Sequence, residues 1–252
     1  MILAGGQGKR FMDRNNTDVP KQFFKKSSDE PSMLERTFDR LYKLKMQLSD
    51  TMIITQTKEA YAGFIQQAKL VGQNEVFFEP ADCGNTGPAI FHSIYKFVEQ
   101  FGESVFAFFP VDHEFESDAA FVDEIERLLR LAERTNKLFV LGTEPDSLSS
   151  ELGYLNFRQV SSTPEHSLQI YPVQSFIEKP ESLDLLLKEN LLVNMGVVIG
   201  KGSVFLESFI LSAAKKQGKP FQGNSFDKEV LEFCSEKMLA SKCALKWKDA
   251  GI

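Results

Sequence analysis

The segment Leu3-Ala4-Gly5-Gly6-Gln7-Gly8-Lys9-Arg10 stands at the end of the first short apolar run of the chain. Its glycines allow the backbone to approach a ligand closely, its exposed N–H groups could hold a phosphate, and Lys9 and Arg10 add positive charge. The dinucleotide pattern G-x-G-x-x-G is not met, because Phe11 stands at its last glycine, and Arg10 stands where a phosphate loop has Ser or Thr. The segment therefore predicts either a phosphate-binding loop after a strand or a plain glycine turn.

Short β-rich runs alternate with helical patterns through the first half of the chain. Ser32-Met33-Leu34-Glu35 has the form of a capping box, and it opens a helix with Leu34, Phe38 and Leu41 on one face. This alternation predicts an α/β fold with a doubly wound, mostly parallel sheet, in which ligands bind at the carboxyl ends of the strands. The predicted strands are residues 2–4, 52–55, 75–78, 105–109 and 138–141, and further helical faces are formed by Tyr61, Phe64, Ile65 and Ala68 and by Phe121, Ile125, Leu128 and Leu129.

The pattern becomes richer in β-strands after about residue 150. Residues 154–157 and 168–171 have the pattern of antiparallel strands, joined by a polar loop at residues 161–167. Further helices are predicted at residues 183–188, 204–214 and 226–233, and further strands at residues 195–199 and 244–247. No linker separates two independent domains, so we predict a single domain, residues 1–252, whose second half is a β-rich elaboration.

Composition and charge exclude several classes of protein. The net charge of −6 is spread along 252 residues, which disfavours a general nucleic-acid binder. The three cysteines include no C-x-x-C pair, which argues against a disulfide framework and a thiolate zinc site and fits a reducing cytoplasm. Neither a signal peptide nor an apolar run of membrane-spanning length is present in the sequence. We therefore predict a soluble cytoplasmic protein that binds neither nucleic acid nor membrane.

Eight segments of the chain, in the right order, resemble the motifs of the sugar-1-phosphate nucleotidyltransferases. The second of them, Pro20-Lys21-Gln22-Phe23, most resembles the mannose-1-phosphate guanylyltransferases within that family. The segments are LAGGQGKR (3–10), PKQF (20–23), EP with NTGPAI (79–80 and 85–90), PVDH (110–113), FIEKP (176–180), NMGV (194–197), SFDKEVLE (225–232) and WKDAG (247–251).

The resemblance implies transfer of a guanylyl group from GTP to mannose 1-phosphate, giving GDP-mannose and pyrophosphate with Mg²⁺. It also implies a nucleotide-diphospho-sugar transferase type of fold, with a nucleotide-binding half at residues 1–150 and a sugar-binding half at residues 151–252. A second copy of the chain is a candidate partner, as in a homodimer. The reaction brings two polyanions together, so it needs cations, a divalent metal ion and carboxylates that hold the metal.

Family behaviour then assigns roles to particular residues. Arg10 and Lys21 would act on the triphosphate and the transition state, and Lys179 on the phosphate of the sugar. Asp112 and Asp249 would hold the metal ion, and Asp112 follows the apolar run 105–109, which places it at the carboxyl end of a strand. The remaining substrate contacts are expected from Leu3, Gly5, Gly6, Glu79, Asn85 and Thr86 on the nucleotide side and from Gly153, Glu178 and Asn194 on the sugar side.

Two alternatives stay open at the level of the sequence. One is another sugar-1-phosphate nucleotidyltransferase, with a different base or hexose. Gly84 stands where the family commonly has Arg, and Met12-Asp13 stands where it usually has Trp-Pro, so base preference is less constrained than the reaction. The other is a non-catalytic regulator that binds a sugar nucleotide, but such a binder has no need of the full set of metal and phosphate residues.

Overall fold

The computed structural model describes residues 1–5, 9–44, 52–56, 75–79, 84–159, 169–186, 189–217 and 223–249. The chain divides into two compact units, each built from separate stretches of sequence. Unit 1 is formed by Met1–Cys83, Phe108–Glu126 and Leu245–Ile252, and unit 2 by Gly84–Ala107 and Arg127–Ala244. The predicted single domain with halves meeting at residue 150 stays a prediction. The helix expected at residues 61–68 and the loop expected at 161–167 lie outside the described residues.

Unit 1 contains parallel strands in the order β3-β2-β1-β4. Ile2 pairs with Ile53 on one side and with Phe109 on the other, so β1 is an inner strand. The strand predictions for this region are confirmed, with bounds shifted by a residue or two. The strands are β1 (Ile2–Leu3), β2 (Met52–Gln56), β3 (Glu75–Glu79) and β4 (Val105–Pro110), of which β4 contributes its end to unit 1.

The described part of the chain between β1 and β2 contains the helices α1 and α2. Helix α1 spans Lys9–Asn15, and helix α2 spans Met33–Tyr42. The predicted capping box is present, because Ser32 accepts a hydrogen bond from the Glu35 N–H and the Glu35 carboxylate accepts one from the Ser32 N–H. The predicted apolar face of α2 is buried, and it consists of Leu34, Phe38 and Leu41.

The described part of unit 1 also contains a two-stranded antiparallel ribbon and the start of helix α4 (Asp118–Ala132). The ribbon pairs β5 (His113–Phe115) with β11 (Trp247–Asp249). The sequence did not predict β5, and the predicted strand at 244–247 begins instead at Trp247. The strand begins at Trp247 because Trp247 is the first residue of this segment that lies opposite a residue of β5.

The described residues of unit 2 form five strands in the order β9-β6-β10-β8-β7, and β7 also pairs with β9, so that the two ends of this strand order meet. Only β6 and β10 are parallel among these pairs. The predicted antiparallel pair of β7 and β8 is confirmed. The elements are α3 (Thr86–Phe101), β6 (Leu138–Thr143), β7 (Gly153–Phe157), β8 (Ile170–Glu178), β9 (Leu191–Lys201), α5 (Gly202–Lys215), α6 (Phe226–Glu229) and β10 (Met238–Lys242).

The helix predicted at residues 226–233 is wrong in length, because α6 ends at Glu229. The Ser212 hydroxyl and the Lys216 ammonium both donate to the Glu229 carbonyl, and Phe233 N–H bonds to Val230 instead. The chain continues as a separate 3₁₀ helix, Leu231–Phe233. The helix predicted at 183–188 is likewise a 3₁₀ helix over its described part, Leu183–Leu186.

Sequence analysis also missed β10, which pairs with β6 and β8 in the middle of the unit 2 strands. Within the parts of the chain that the structure describes, no helix combines the length and the apolar character needed to cross a membrane.

Replacing Ser32 by Ala should lower the free energy of unfolding by about 1 kcal/mol, because the first turn of α2 loses the acceptor for the Glu35 N–H. Equilibrium unfolding in urea measures this loss. The matched control is Ser28→Ala, which removes an exposed hydroxyl that bonds only to the exposed Asp29 carboxylate. Equal stability of the two variants would show that α2 does not depend on its cap.

Candidate active site

Three potential metal ligands come together at one end of the ribbon in unit 1. Asp112 lies two residues after the end of β4, and His113 opens β5 directly opposite Asp249 of β11. One ligand atom from each of Asp112, His113 and Asp249 lies within 4.8 Å of the other two. We call these three residues and Lys21 the Asp112 cluster. The structure thus brings together the two carboxylates that the sequence assigned to a metal ion.

Helix α2 holds the backbone on both sides of Asp112. The Thr37 hydroxyl donates to the Val111 carbonyl at 3.1 Å, and Arg40 Nη1 donates to the His113 carbonyl at 3.2 Å. The Arg40 side chain is buried, with Nε 2.7 Å from Asp118 Oδ1 and the guanidinium 4.8 Å from the centre of the Phe115 ring. Asp112 is therefore carried by a segment whose neighbouring carbonyls are both fixed.

The turn that carries Lys21 is tied to the end of β1. Gln22 is fully buried, and its Nε2 donates to the Ala4 carbonyl at 2.9 Å. The neighbouring Lys21 ammonium forms an ion pair with Asp112 Oδ2. Gln22 Oε1 is buried without a hydrogen-bond partner among the described residues. Sequence analysis assigned Gln22 no role beyond its place in the PKQF segment, but its burial and its bond to the Ala4 carbonyl show that it secures the turn that carries Lys21.

The electrostatics of the Asp112 cluster favour an anionic carboxylate beside a neutral imidazole. Burial alone would raise the pKa of Asp112, but the charges of Lys21 and His113 outweigh it and lower this pKa below its ordinary value. Burial lowers the pKa of His113 to about 4, although the Asp112 charge opposes the change. Near neutral pH, His113 is therefore uncharged.

The ligand types of the cluster suit a divalent cation. Carboxylate oxygens are the ligands that Mg²⁺ prefers, and it commonly uses one or two of them together with phosphate and water. His113 adds a neutral imidazole, and its Nδ1 is buried without a hydrogen-bond partner within the described ranges. An imidazole suits the first-row transition metals better than Mg²⁺. The two aspartates alone satisfy what Mg²⁺ requires of a protein.

A second group of polar residues lies in unit 2, around the end of β8. Glu178 is the last residue of β8 and pairs with Gly153 on β7. A Cβ atom on Gly153 would lie 2.5 Å from Glu178 Oε2, so only glycine leaves room for this carboxylate. Asn194 of β9 donates from Nδ2 to Asp227 Oδ1 at 2.8 Å, and the Glu178 N–H donates to Glu232 Oε1 at 2.9 Å.

We call Gly153, Glu178, Lys179, Asn194, Asp227 and Glu232 the Glu178 cluster. Three of its members were predicted to contact a sugar, and Lys179 its phosphate. Asp227 and Glu232 were missed as site residues. Both lie in the segment SFDKEVLE, so the resemblance contained the signal, although no role was drawn from it.

Two acids of the Glu178 cluster, Glu178 and Asp227, hold their protons more tightly than usual. Burial raises the pKa of Glu178 to about 7, the Asp227 charge adds to this, and the Lys179 charge opposes it. Burial also raises the pKa of Asp227, even though a hydrogen bond from Asn194 favours its anion. A carboxyl group that can both donate and accept hydrogen bonds near neutral pH, as Glu178 can, is suited to hydroxyl groups of a ligand.

Lys179 offers a cation beside these acids. Its side chain is 58% exposed, and Nζ lies 3.7 Å from Glu178 Oε1. The backbone at Lys179 has a φ of 48°, in the left-handed region that non-glycine residues avoid. The Lys179 N–H donates to the Leu152 carbonyl at 3.2 Å, which helps to hold that conformation.

The remaining predicted residues are described only in part. Leu3 ends β1, and Gly5 follows it, partly exposed. Gly6 lies outside the described residues, as do the side chains of Arg10 in α1 and Glu79 in β3. Asn85 caps α3, because its side chain accepts a hydrogen bond from the Thr86 N–H. The Thr86 hydroxyl accepts one from the Phe226 N–H at 2.9 Å.

A family model described as nucleotidyl transferase matches residues 1–252. The chain belongs to the nucleotidyl transferase family. Among its relatives, mannose-1-phosphate guanylyltransferase 2 of Escherichia coli O157:H7 is 26% identical over 100% of this chain and 57% of its own length. Alginate biosynthesis protein AlgA of Pseudomonas aeruginosa is 28% identical over 72% of this chain and 36% of its own length. This nucleotidyl transferase chain spans about half the length of the first two curated relatives it matches.

Solved structures confirm the fold of this nucleotidyl transferase family member. A crystal structure described as mannose-1-phosphate geranyltransferase from Thermus thermophilus matches with a TM-score of 0.78 and 20% identity, over 99% of this chain and 75% of the other. UDP-glucose pyrophosphorylase complexed with UDP-glucose matches with a TM-score of 0.65 and 15% identity, over 100% and 92%. The predicted α/β fold of the nucleotide-diphospho-sugar transferase type is therefore confirmed.

Glu178→Gln should change how stability depends on pH. The pKa of Glu178 rises from 4.5 to about 7 on folding, so its protonated form stabilises the fold below pH 4.5, and this contribution is lost as the pH rises through 7. Glutamine mimics the protonated acid at every pH. At pH 8 we expect the variant to be more stable than the wild type by on the order of 2 kcal/mol, with no such gain at pH 4.5.

Urea unfolding at pH 4.5, 6 and 8 measures the difference between the two proteins. Glu181→Gln, which neutralises an exposed carboxylate close by in sequence, is the matched control and should follow the wild type. If the wild type and Glu178→Gln keep the same stability difference at all three pH values, the raised pKa is contradicted.

Proposed function

We propose that the chain transfers a guanylyl group from GTP to mannose 1-phosphate, giving GDP-mannose and pyrophosphate. The observation that carries the proposal is the Asp112 cluster, in which two aspartates with potential ligand atoms within 4.8 Å lie beside a lysine, in a chain of the nucleotidyl transferase family. The names of relatives support the choice of substrates, since several are named mannose-1-phosphate guanylyltransferase.

The reaction needs no protein nucleophile. An oxygen of the sugar phosphate attacks the α-phosphorus of GTP, a new P–O bond forms, and the bond to the leaving pyrophosphate breaks. Positioning and charge stabilisation then carry the catalysis. Mg²⁺ bound by Asp112 and Asp249 would neutralise charge on the phosphate oxygens. Lys21 and Arg10 would add positive charge at the triphosphate, and the ion pair of Lys21 with Asp112 supports this place for Lys21.

We assign recognition of mannose 1-phosphate to the Glu178 cluster. Lys179 would bind the phosphate, and Glu178 and Asn194 the sugar hydroxyls, with the backbone of Gly153 nearby. Asp227 joins this set because it shares a hydrogen bond with Asn194. Raised pKa values at Glu178 and Asp227 support recognition of neutral hydroxyls over a second metal ion, since metal ligands must be deprotonated.

The nucleotide contacts are proposed from the resemblance, at Leu3, Gly5, Gly6, Glu79 and Asn85. Guanine presents an N1–H and an exocyclic amine as donors beside its O6 acceptor. A site built for that pattern leaves polar groups unpaired when another base enters, at about 1–3 kcal/mol for each group. We also propose a cytoplasmic location, from the cysteine pattern, and a second copy of the chain remains a candidate partner.

Pyrophosphate release should be fastest with GTP and mannose 1-phosphate. The measurement is a grid of GTP, dTTP, UTP, CTP and ATP against mannose 1-phosphate, glucose 1-phosphate and galactose 1-phosphate, with Mg²⁺ present. A higher kcat/KM with dTTP or UTP would reject the guanylyl assignment, and a higher one with another hexose would reject mannose. Binding of the sugar nucleotide without turnover of any pair would favour the non-catalytic regulator.

Asp112→Asn should reduce turnover by on the order of 10²-fold or more, because the amide cannot balance a cation at the charged transition state. Circular dichroism should show an intact fold, as the side chain contributes little to the core. Asp146→Asn, at an exposed loop position, is the control and should keep full turnover. Unchanged turnover of Asp112→Asn at saturating Mg²⁺ would contradict the metal assignment.

A further inference from the structure

The first turns of helices α3 and α6 supply hydrogen-bond acceptors to each other in unit 2. Phe226, the first residue of α6, donates its N–H to the Thr86 hydroxyl at 2.9 Å. Gly87, in the first turn of α3, donates its N–H to the Asn224 carbonyl at 3.3 Å. First-turn N–H groups have no acceptor within their own helix, so each helix start satisfies a donor that the other cannot satisfy alone.

The contact between the two helix starts is close. A Cβ atom on Gly87 would lie 2.8 Å from the Asn224 carbonyl oxygen and 3.5 Å from Glu229 Cβ, so a larger residue at this position would push the helices apart. The far end of α6 is also held, because the buried Glu229 carboxylate lies 3.1 Å from Lys216 Nζ and 3.1 Å from Asn224 Nδ2. Thr86 thus fixes the start of α6, and α5 fixes its end.

Helix α6 has only four residues, and besides these two attachments it is capped by Ser225, whose hydroxyl accepts a hydrogen bond from the Lys228 N–H. A single turn gains too few hydrogen bonds of its own to be stable. Asp227 is its second residue, and its carboxylate accepts the hydrogen bond from Asn194 Nδ2 at 2.8 Å. The attachment of Phe226 to Thr86 therefore helps to hold the turn that carries Asp227.

We propose that Thr86 is a positioning residue for sugar recognition, which acts by holding Phe226 and thereby the pair formed by Asp227 and Asn194. The sequence had placed Thr86 among the nucleotide contacts, but its hydroxyl oxygen is engaged on the Phe226 N–H. The Thr86 hydroxyl links the segment NTGP, proposed to lie beside the nucleotide, to the residues proposed to bind the sugar. The inference rests on the proposed function, because it assumes that the Glu178 cluster binds the sugar.

Two substitutions of Thr86 distinguish the effect of its hydroxyl group from the effect of its side-chain shape. Thr86→Val keeps the shape but offers no acceptor to the Phe226 N–H, whereas Thr86→Ser keeps the acceptor. We expect Thr86→Val to raise the KM for the sugar 1-phosphate by about tenfold, as for the loss of one partly buried hydrogen bond. The KM for GTP should change less than about twofold, and Thr86→Ser should restore the wild-type KM for the sugar 1-phosphate.

Amide hydrogen exchange gives a readout that needs no activity. Exchange at residues 226–229 should be faster in Thr86→Val than in the wild type and unchanged in Thr86→Ser. If Thr86→Val speeds exchange but leaves both KM values unchanged, the tether is purely structural and the proposal is overturned. A raised KM for GTP with an unchanged KM for the sugar 1-phosphate would overturn it as well, in favour of direct nucleotide contact.

Pyrophosphate release by the wild type alone tests the proposed function, separately from the role of Thr86. If the wild type prefers another triphosphate or hexose 1-phosphate, that pair replaces GTP and mannose 1-phosphate in the comparison, and the two variants still decide the role of Thr86. If the wild type turns over no pair, the proposed function and this inference are both overturned.

Discussion

The buried guanidinium of Arg40 is the group on which the arrangement of unit 1 depends. A buried charge is tolerated only with a counter-charge and enough hydrogen-bond acceptors. Arg40 finds them in Asp118 at the start of α4 and in the His113 carbonyl at the start of β5. Satisfying one arginine therefore fixes α2, α4 and β5 together. Because His113 pairs with Asp249, it also fixes the strand pair that carries two of the potential metal ligands.

The pKa of the carboxyl group is lowered at Asp112 and raised at Glu178, so the two clusters suit different chemistry. Asp112 is buried beside Lys21, so its pKa falls and it stays anionic, as a metal ligand must. Glu178 is partly buried beside Asp227, and its pKa rises to about 7. An anionic carboxylate suits phosphate chemistry assisted by a cation, and a protonated one suits the hydroxyls of a neutral sugar ring. One type of side chain thus has different acid–base properties in the two clusters, because its neighbours differ.

Features set by local sequence could be predicted, and features set by distant partners could not. The capping box of α2 and the position of Asp112 after an apolar strand depend on neighbours in sequence, and both were found. The strand β5 depends on pairing with β11, far along the chain, and three residues give too little pattern to show it. The early end of α6 depends on Ser212 and Lys216, which reach its last carbonyl from α5.

Lys179 has a backbone conformation that non-glycine residues usually avoid. It has a left-handed backbone and precedes Pro180, and both features narrow the conformations open to its peptide unit. Strain of this kind costs on the order of 1–3 kcal/mol and persists only where surrounding contacts determine the backbone. Here the Leu152 carbonyl and the pairing of Glu178 with Gly153 do so. The result is an exposed ammonium group held next to a partly buried acid, so that one short segment presents a cation and a carboxyl group side by side, as the proposed binding of a sugar phosphate requires.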